Sequence, residues 1–123
     1  MLLTDFTDYA PDPQNRLFRI LFVCHSNMNR SKTFENYFKK NFPRLDVKSC
    51  GTYEGVGTTI SESLLEWANQ VFVMDISQAK IIHECFEEHY GKVKIVGVSD
   101  QYDPGDPDLL ALIKFWIDVY EPV

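Results

Sequence analysis

Apolar residues follow two different patterns along the chain, and the two patterns alternate. Four short segments have the length and composition of strands, at residues 17–23, 45–49, 71–74 and 93–98. Four longer segments carry apolar residues three or four positions apart, as amphipathic helices do, at residues 31–42, 61–68, 77–86 and 107–120. Strand and helix therefore alternate four times, which predicts an α/β fold built on a parallel sheet.

The expected architecture is a three-layer sandwich with a central four-stranded parallel sheet, strand order 2-1-3-4, and helices on both faces. Ligands of such sheets bind beyond the carboxyl ends of the strands. Cys24, Asp75 and Asp100 follow the first, third and fourth predicted strands, so the topology should bring them to one edge of the sheet.

Polar residues indicate where the helices begin. Ser61 and Ser77 are predicted N-caps of the second and third helices. Asp106 followed by Pro107 is predicted to cap and open the last helix. Pro43 should end the first one.

Length and charge limit the classes of protein that the chain can represent. Its 123 residues favour one domain over residues 17–123, preceded by a tail, residues 1–16, with two prolines and three acidic residues. A formal net charge of -6 disfavours a nucleic-acid partner or an anionic membrane. We see no signal-peptide pattern and no apolar run of membrane-spanning length, so we expect a cytoplasmic protein.

The three cysteines, Cys24, Cys50 and Cys85, are widely spaced, which argues against a disulfide framework and against a zinc site. We therefore expect neither a metal nor a cofactor. Cys50 and Cys85 are interpreted as small buried side chains, and His83 and His89 as surface residues.

The loop from Cys24 to Ser31 is the strongest candidate for chemistry, because it joins a buried strand to the start of a helix. An anion there would meet backbone N–H groups and the positive end of the helix dipole, and Arg30 can donate two hydrogen bonds to a phosphate. The same field favours the thiolate of Cys24, a candidate nucleophile that Ser31 can stabilise. The expected phosphate-binding residues are His25, Ser26, Asn27, Met28, Asn29 and Ser31.

A plainer interpretation is open at this point. A cysteine that ends a strand is often a small buried hydrophobic residue, and an arginine that opens a helix is often a solvated charge. The spacing of Cys24 and Arg30 is weak by itself, and the strand before and helix after them favour the phosphate site.

The loop resembles the signature of the low-molecular-weight protein tyrosine phosphatases, an apolar strand followed by C-x-x-N-x-x-R-S. Four residues fall on that signature: Cys24, Asn27, Arg30 and Ser31. Three further segments resemble, in order, the family's second strand with its S-A-G-T segment, its third strand and its V-x-D-P-Y segment: residues 47–52, 72–75 and 98–102.

The resemblance implies roles for residues outside the loop. Asp100 would be the general acid that protonates the leaving oxygen and then activates water, and Tyr102 would lie at the cleft wall. Ser49 would support the loop. Tyr53, which follows the second strand, is either an aromatic platform for substrate or a partly buried loop residue. Two neighbouring aspartates are explained as a turn residue and a helix cap: Asp103 and Asp106.

The chain departs from the family pattern at several points. The connection between its second and third strands is abbreviated, as in a compact bacterial branch of the family. Asn29 stands where many members have a cysteine that forms a protective disulfide, so that disulfide is not expected. Lys32 and Gln101 stand where the family usually has prolines.

The expected function is hydrolysis of a phosphomonoester through a phosphocysteine intermediate, with phosphotyrosine as the first substrate to consider. The partner is then a phosphorylated protein or a small phosphomonoester. The alternatives are a phosphoarginine phosphatase, a non-catalytic phosphate or phosphopeptide binding module, and a regulatory protein that acts through its tail or last helix. An arsenate reductase would need a mobile second thiol, which neither Cys50 nor Cys85 resembles.

Overall fold

Four parallel strands form the sheet, in the order β2-β1-β3-β4, which confirms the predicted fold class and strand order. The computed structural model describes residues 18–26, 30–54, 57–98 and 106–119, with side chains up to Trp116 in the last helix. The predicted tail, residues 1–16, lies outside these ranges. The strands are β1 Phe18–Cys24, β2 Leu45–Gly51, β3 Gln70–Val73 and β4 Val93–Ile95.

The described ranges contain four α-helices, which lie where the apolar periodicity predicts them, and one 3₁₀ helix that it does not predict. They are α1 Arg30–Asn41, α2 Glu62–Trp67, α3 Ile76–Cys85, a 3₁₀ helix over Glu87–Lys92, and α4 Pro107–Val119. Ser61 caps α2, because its hydroxyl accepts a hydrogen bond from the Leu64 N–H at 3.2 Å. Every helix in the described ranges is too short or too polar to cross a membrane.

The predicted cap of α3 is wrong by two residues. Asp75, not Ser77, is the N-cap: its carboxylate accepts from the Ser77 N–H at 2.9 Å, while the Gln78 side chain accepts from the Asp75 N–H at 2.8 Å. This reciprocal pair satisfies two backbone donors at once, so the helix begins at Ile76 although that residue is exposed.

An aromatic core fills the face of the sheet that α1 and α4 cover. The ring of Phe22 in β1 lies 5.1 Å from that of Phe34, 5.0 Å from that of Phe38 and 5.6 Å from that of Phe72, between centroids. Trp116 of α4 meets Phe72 edge-on at 5.0 Å. These rings join two strands and two helices into one hydrophobic cluster.

A smaller aliphatic core lies on the opposite face, under α2 and α3. Leu21 and Val23 of β1 point into it, where they meet Leu65 of α2 and Ile82 of α3. Successive side chains of a strand point to opposite faces, so β1 supplies both cores and is buried on both sides. The predicted three-layer arrangement is confirmed.

Two of the cysteines differ in burial. Cys50 is fully buried, as expected, but Cys85 is exposed. The predicted burial of Cys85 is wrong. α3 ends at this residue, and the next one, Phe86, packs against the aliphatic core instead.

The expected surface position is correct for His83 and wrong for His89. His89 lies in the 3₁₀ helix, where its imidazole is buried and lies 2.6 Å from a carboxylate oxygen of Glu62. The 3₁₀ helix turns the chain back towards α2, and this contact could not be read from helical periodicity in α3.

The aromatic core generates a test of the fold. Phe22→Ala should lower the free energy of unfolding by about 3–5 kcal/mol, because a fully buried ring between two layers is replaced by a cavity. Phe115→Ala on α4 is the matched control, since that ring is 64% exposed, and should change stability by less than about 0.5 kcal/mol. Urea unfolding followed by circular dichroism measures both. Equal losses in the two variants would contradict this core.

Candidate active site

Cys24 is the last residue of β1 and is 2% exposed. Two backbone hydrogen bonds hold the chain at this point: the Thr52 N–H donates to the Cys24 carbonyl at 3.0 Å, and the Tyr53 N–H donates to the His25 carbonyl at 2.7 Å. The start of the predicted loop is therefore held against the chain that follows β2. The thiol lies at the carboxyl edge of the sheet, where parallel α/β folds place their ligands.

Ser31 lies in the first turn of α1, with its hydroxyl oxygen 2.9 Å from the Cys24 sulfur and 3.3 Å from the Cys50 carbonyl oxygen. A hydroxyl has one proton to donate and can also accept. Beside a thiol it can donate to the carbonyl and accept from S–H, and beside a thiolate it can turn its proton to the sulfur. The geometry thus offers a hydrogen-bond donor to a charged Cys24.

Arg30 opens α1, and its side chain is only 2% exposed despite its charge. Its Nη1 donates to Asp75 Oδ2 at 2.9 Å and to the Val98 carbonyl at 2.8 Å. Asp75 follows β3 and Val98 follows β4, so one guanidinium joins three segments at the sheet edge. A buried charge needs such partners. The plainer interpretation, a solvated surface arginine, is wrong.

The carboxylate of Asp75 stays ionised far into the acidic range. Burial pushes its pKa up, but the hydrogen bond from Arg30, the hydrogen bonds from Ser77 and the guanidinium charge outweigh burial, so the pKa falls from 3.8 to about 2. One carboxylate therefore caps α3 and neutralises the buried arginine.

Ser49 of β2 is joined to the first helix by a side-chain hydrogen bond. Its hydroxyl donates to Glu35, a buried carboxylate of α1 that also accepts from Lys32 at 3.2 Å and from Lys39. Burial raises the pKa of Glu35, but the hydrogen bonds from Lys39, Ser49 and Lys32 outweigh it and leave that pKa below its usual value. This network fixes α1 against β2. The support of the loop by Ser49 stays a prediction.

The remaining groups around the thiol differ in exposure and charge. Burial raises the pKa of Cys50 to about 12, and the nearby Cys24 adds to the rise, so Cys50 remains a neutral thiol near pH 7. His25 and Tyr53 lie on the open side, with ring centroids 5.2 Å apart and Tyr53 56% exposed. Across the described segments, His, Cys, Asp and Glu side chains form no group of three that could hold a metal ion.

The structure brings several of the predicted site residues together. The Cys24 sulfur at the end of β1 contacts the Ser31 hydroxyl in the first turn of α1, Arg30 begins that helix, and His25 lies beside Tyr53. Ser26 is half-buried and follows them in the loop. Five predicted residues lie outside the described ranges, and their roles stay predictions: Asn27, Met28, Asn29, Asp100 and Tyr102.

Sequence reasoning missed two groups that shape the site. Asp75 was identified as a residue at the sheet edge, but the sequence gives no sign that it pairs with Arg30, 45 positions away. Glu35 carries no motif, and its burial beside Ser49 follows only from the packing of α1 on β2. A carboxylate that directly follows a buried strand is the one signal that favours Asp75.

Comparison with known proteins yields matches to solved structures alone: no protein-family model and no curated protein matches the chain. The arginine phosphatase YwlE from Geobacillus stearothermophilus has 24% identity and a TM-score of 0.64, covering 82% of this chain and 91% of that one. The tyrosine phosphatase Wzb from Escherichia coli K30, in complex with phosphate, has 19% identity and a TM-score of 0.67, with 83% and 86% covered. SP-PTP from Streptococcus pyogenes, a low-molecular-weight protein tyrosine phosphatase, has 16% identity and a TM-score of 0.70, with 83% and 89% covered.

These likenesses extend over most of each chain, and they hold at identities too low to carry more than the path of the backbone. They agree with the strand order and with the helices on both faces of the sheet. The chain has the fold of the low-molecular-weight protein tyrosine phosphatases.

Proposed function

We propose that the protein is a cysteine-dependent phosphomonoester hydrolase in which Cys24 is the nucleophile. The observation that carries this proposal is the pairing of the Cys24 sulfur with the Ser31 hydroxyl, 2.9 Å away, at the edge where Arg30 is buried. A thiol with a hydrogen-bond donor, at the edge of the sheet where an arginine begins a helix, suits attack on a bound phosphoryl group.

In the first step, the thiolate of Cys24 attacks phosphorus in line with the leaving group. A sulfur–phosphorus bond forms as the phosphorus–oxygen bond of the ester breaks, and the proton that the leaving oxygen needs comes from Asp100. Arg30 stabilises the phosphoryl oxygens in the transition state. Because Asp75 and Val98 hold Nη1, the plane of the guanidinium is set before substrate arrives.

In the second step, water attacks phosphorus, gives its proton to Asp100 and displaces the thiolate. Inorganic phosphate leaves and Cys24 returns to its starting state. The leaving group of this step is the sulfur itself, so the hydroxyl of Ser31 can donate its proton to the sulfur as negative charge develops there. The Cys50 carbonyl is the alternative acceptor for that proton in the resting thiol state.

The proposed substrate is a phosphorylated protein or a small phosphomonoester, with phosphotyrosine first. The solved structures with this fold include a tyrosine phosphatase and an arginine phosphatase, and both chemistries fit a phosphate cradle of this kind. Tyr53 and His25 form an exposed aromatic pair on the open side of the site, which favours an aromatic leaving group.

A redox relay of the arsenate reductase type is disfavoured by the two other cysteines. Cys50 remains a thiol near neutral pH because burial raises its pKa to about 12. Cys85 ends α3, a helix of 10 residues that starts beside the site and therefore carries Cys85 roughly 15 Å away from it.

The first test is turnover of two aryl phosphates, p-nitrophenyl phosphate and phenyl phosphate, across pH. Cys24→Ser should lower kcat by at least about 10³-fold with either substrate, because the nucleophile is lost. Asp100→Asn should lower kcat/KM by about 10²-fold or more with phenyl phosphate, and by less with p-nitrophenyl phosphate, whose leaving group needs no proton. Asp108→Asn, at an exposed position in α4, is the matched control and should leave both rates unchanged.

Two outcomes would contradict this function. Turnover that survives Cys24→Ser would exclude the nucleophile, and a wild-type protein that binds vanadate without turnover would be a phosphate-binding module. Where turnover is found, kcat/KM for phosphotyrosine and phosphoarginine peptides decides between the two substrate classes.

The contact between Ser31 and Cys24 predicts a change of rate-limiting step. Ser31→Ala removes the donor to the developing thiolate, so kcat should fall by about 10–100-fold, the worth of a hydrogen bond to a charged group. Breakdown of the phosphocysteine should slow most, which rapid-mixing kinetics would show as a burst of nitrophenol. Ser63→Ala, at an exposed serine of α2, is the control. An effect of Ser31→Ala on KM with kcat unchanged would be inconsistent with this role.

Removal of the ion pair between Arg30 and Asp75 should lower both the activity and the stability of the protein. Asp75→Asn removes the charge but keeps a side chain that caps helices well. The free energy of unfolding at pH 7 should fall by roughly 1–2 kcal/mol, an estimate reduced because the Asp75 side chain is 37% exposed. kcat/KM should fall about tenfold or more, because the guanidinium is no longer oriented.

The pH dependence of this stability difference follows from the lowered pKa of Asp75. That pKa lies at about 2 in the folded protein against 3.8 ordinarily, so the contribution is complete above about pH 5 and is lost as the pH falls through 3.8 towards 2. Urea unfolding of wild type and Asp75→Asn should therefore differ most near neutral pH and least near pH 2. Asp46→Asn, at an exposed residue of β2, is the control. A difference that does not vary with pH would refute the charge effect.

A further inference from the structure

A groove runs between α1 and α4, above the aromatic core, and has no role in the proposed reaction. Its volume is about 450 Å³. Tyr37 and Leu110 provide apolar wall on either side, and Lys32, Lys40 and Lys114 provide ammonium groups. A groove with an apolar wall and a basic rim suits an occupant that combines apolar side chains with carboxylates.

The groove is positively charged, whereas the chain as a whole is negative. The net charge of the protein is -6, yet three lysines meet here. Lys32 pairs with Glu35 at 3.2 Å, whereas Lys40 and Lys114 form no ion pair with any residue that the structure describes. Two ammonium groups therefore remain to attract an acidic partner.

The chain itself contains a segment with the matching chemistry. Residues 1–16 carry acidic and aromatic side chains close together: Asp5, Phe6, Asp8, Tyr9 and Asp12. Aromatic side chains bury a large apolar area on binding. Carboxylates spaced between them are complementary in charge to the lysines of the rim.

The described part of the chain begins near one end of the groove. α1 connects two parallel strands and so runs antiparallel to β1, which places its last residue, Asn41, at the end of the sheet where Phe18 begins β1. Phe18 also packs against the core that lies under α1 and α4. The thirteen residues 5–17, which link Asp5 to β1, reach up to about 43 Å when extended. The twelve residues of α1 are only about 18 Å long, so the segment is long enough to follow the whole groove.

We propose that the acidic segment 1–16 binds in this groove within the same molecule, with its aromatic rings on the apolar wall and its aspartates beside Lys40 and Lys114. The covalent link gives the segment a local concentration in the millimolar range, so even weak contacts are occupied. The groove is thus an interaction surface whose partner is the chain's own beginning, and the contact stands whether or not the protein is a phosphatase.

Limited proteolysis of the full chain by chymotrypsin, followed by mass spectrometry, tests this contact through cleavage after Phe6 and Tyr9. Lys40→Glu/Lys114→Glu should raise the cleavage rate roughly fivefold at low salt, because two ion pairs of the bound state become repulsive. Lys80→Glu/Lys94→Glu makes the same change in net charge at exposed lysines of α3 and β4, and should leave the rate unchanged.

A charge exchange distinguishes direct contact from a general effect of charge. Asp5→Lys/Asp8→Lys alone should also raise the rate, and its combination with Lys40→Glu/Lys114→Glu should return the rate towards that of wild type. Equal rates in wild type and the groove variant would overturn the proposal, and so would a combined variant that is cut as fast as either parent. Protection that grows with protein concentration would show that the segment binds a second copy, which overturns binding within one molecule.

Discussion

The buried guanidinium of Arg30 is the group on which the arrangement of the candidate site depends. A charge held at 2% exposure is stable only with a carboxylate and further acceptors around it. Here the carboxylate comes from Asp75, two residues after β3, and the carbonyl from the chain after β4, while the arginine itself begins α1. All three can meet because parallel strands bring their carboxyl ends to one edge. The site therefore exists only when the complete sheet has formed, and Asp75 links it to α3 through the cap.

A local contact positions Cys24 and Ser31, and long-range contacts position Arg30. The contact between Cys24 and Ser31 is local, since both residues flank one loop between β1 and α1. The distance between Cys24 and Ser31 depends on the position of α1. The aromatic core and the hydrogen bond from Ser49 to the buried Glu35 both fix that helix. The grip on Arg30 is long-range and fixes the direction of its charge. Local geometry thus places the Ser31 hydroxyl at the Cys24 sulfur, and tertiary contacts fix the orientation of the Arg30 guanidinium.

Positive charge occurs in two different settings in a chain that is acidic as a whole. At the sheet edge it is a buried arginine matched by one carboxylate, which suits recognition of a small anion at close range. Between α1 and α4 it is a set of exposed lysines on an apolar groove, which suits a longer and weaker contact that salt can screen.

The sequence by itself determined the alternation of strand and helix, because apolar runs and apolar periodicity are local properties that the backbone converts directly into strands and helices. It also indicated Cys24, Arg30 and Ser31 as candidate site residues, because they lie where a buried strand ends and a helix begins. Tertiary structure alone decided that Arg30 is buried, that Glu35 and His89 lie inside, and that Cys85 lies outside. Each of these depends on a partner far along the chain or on where a helix stops, and periodicity within one segment carries no information about either.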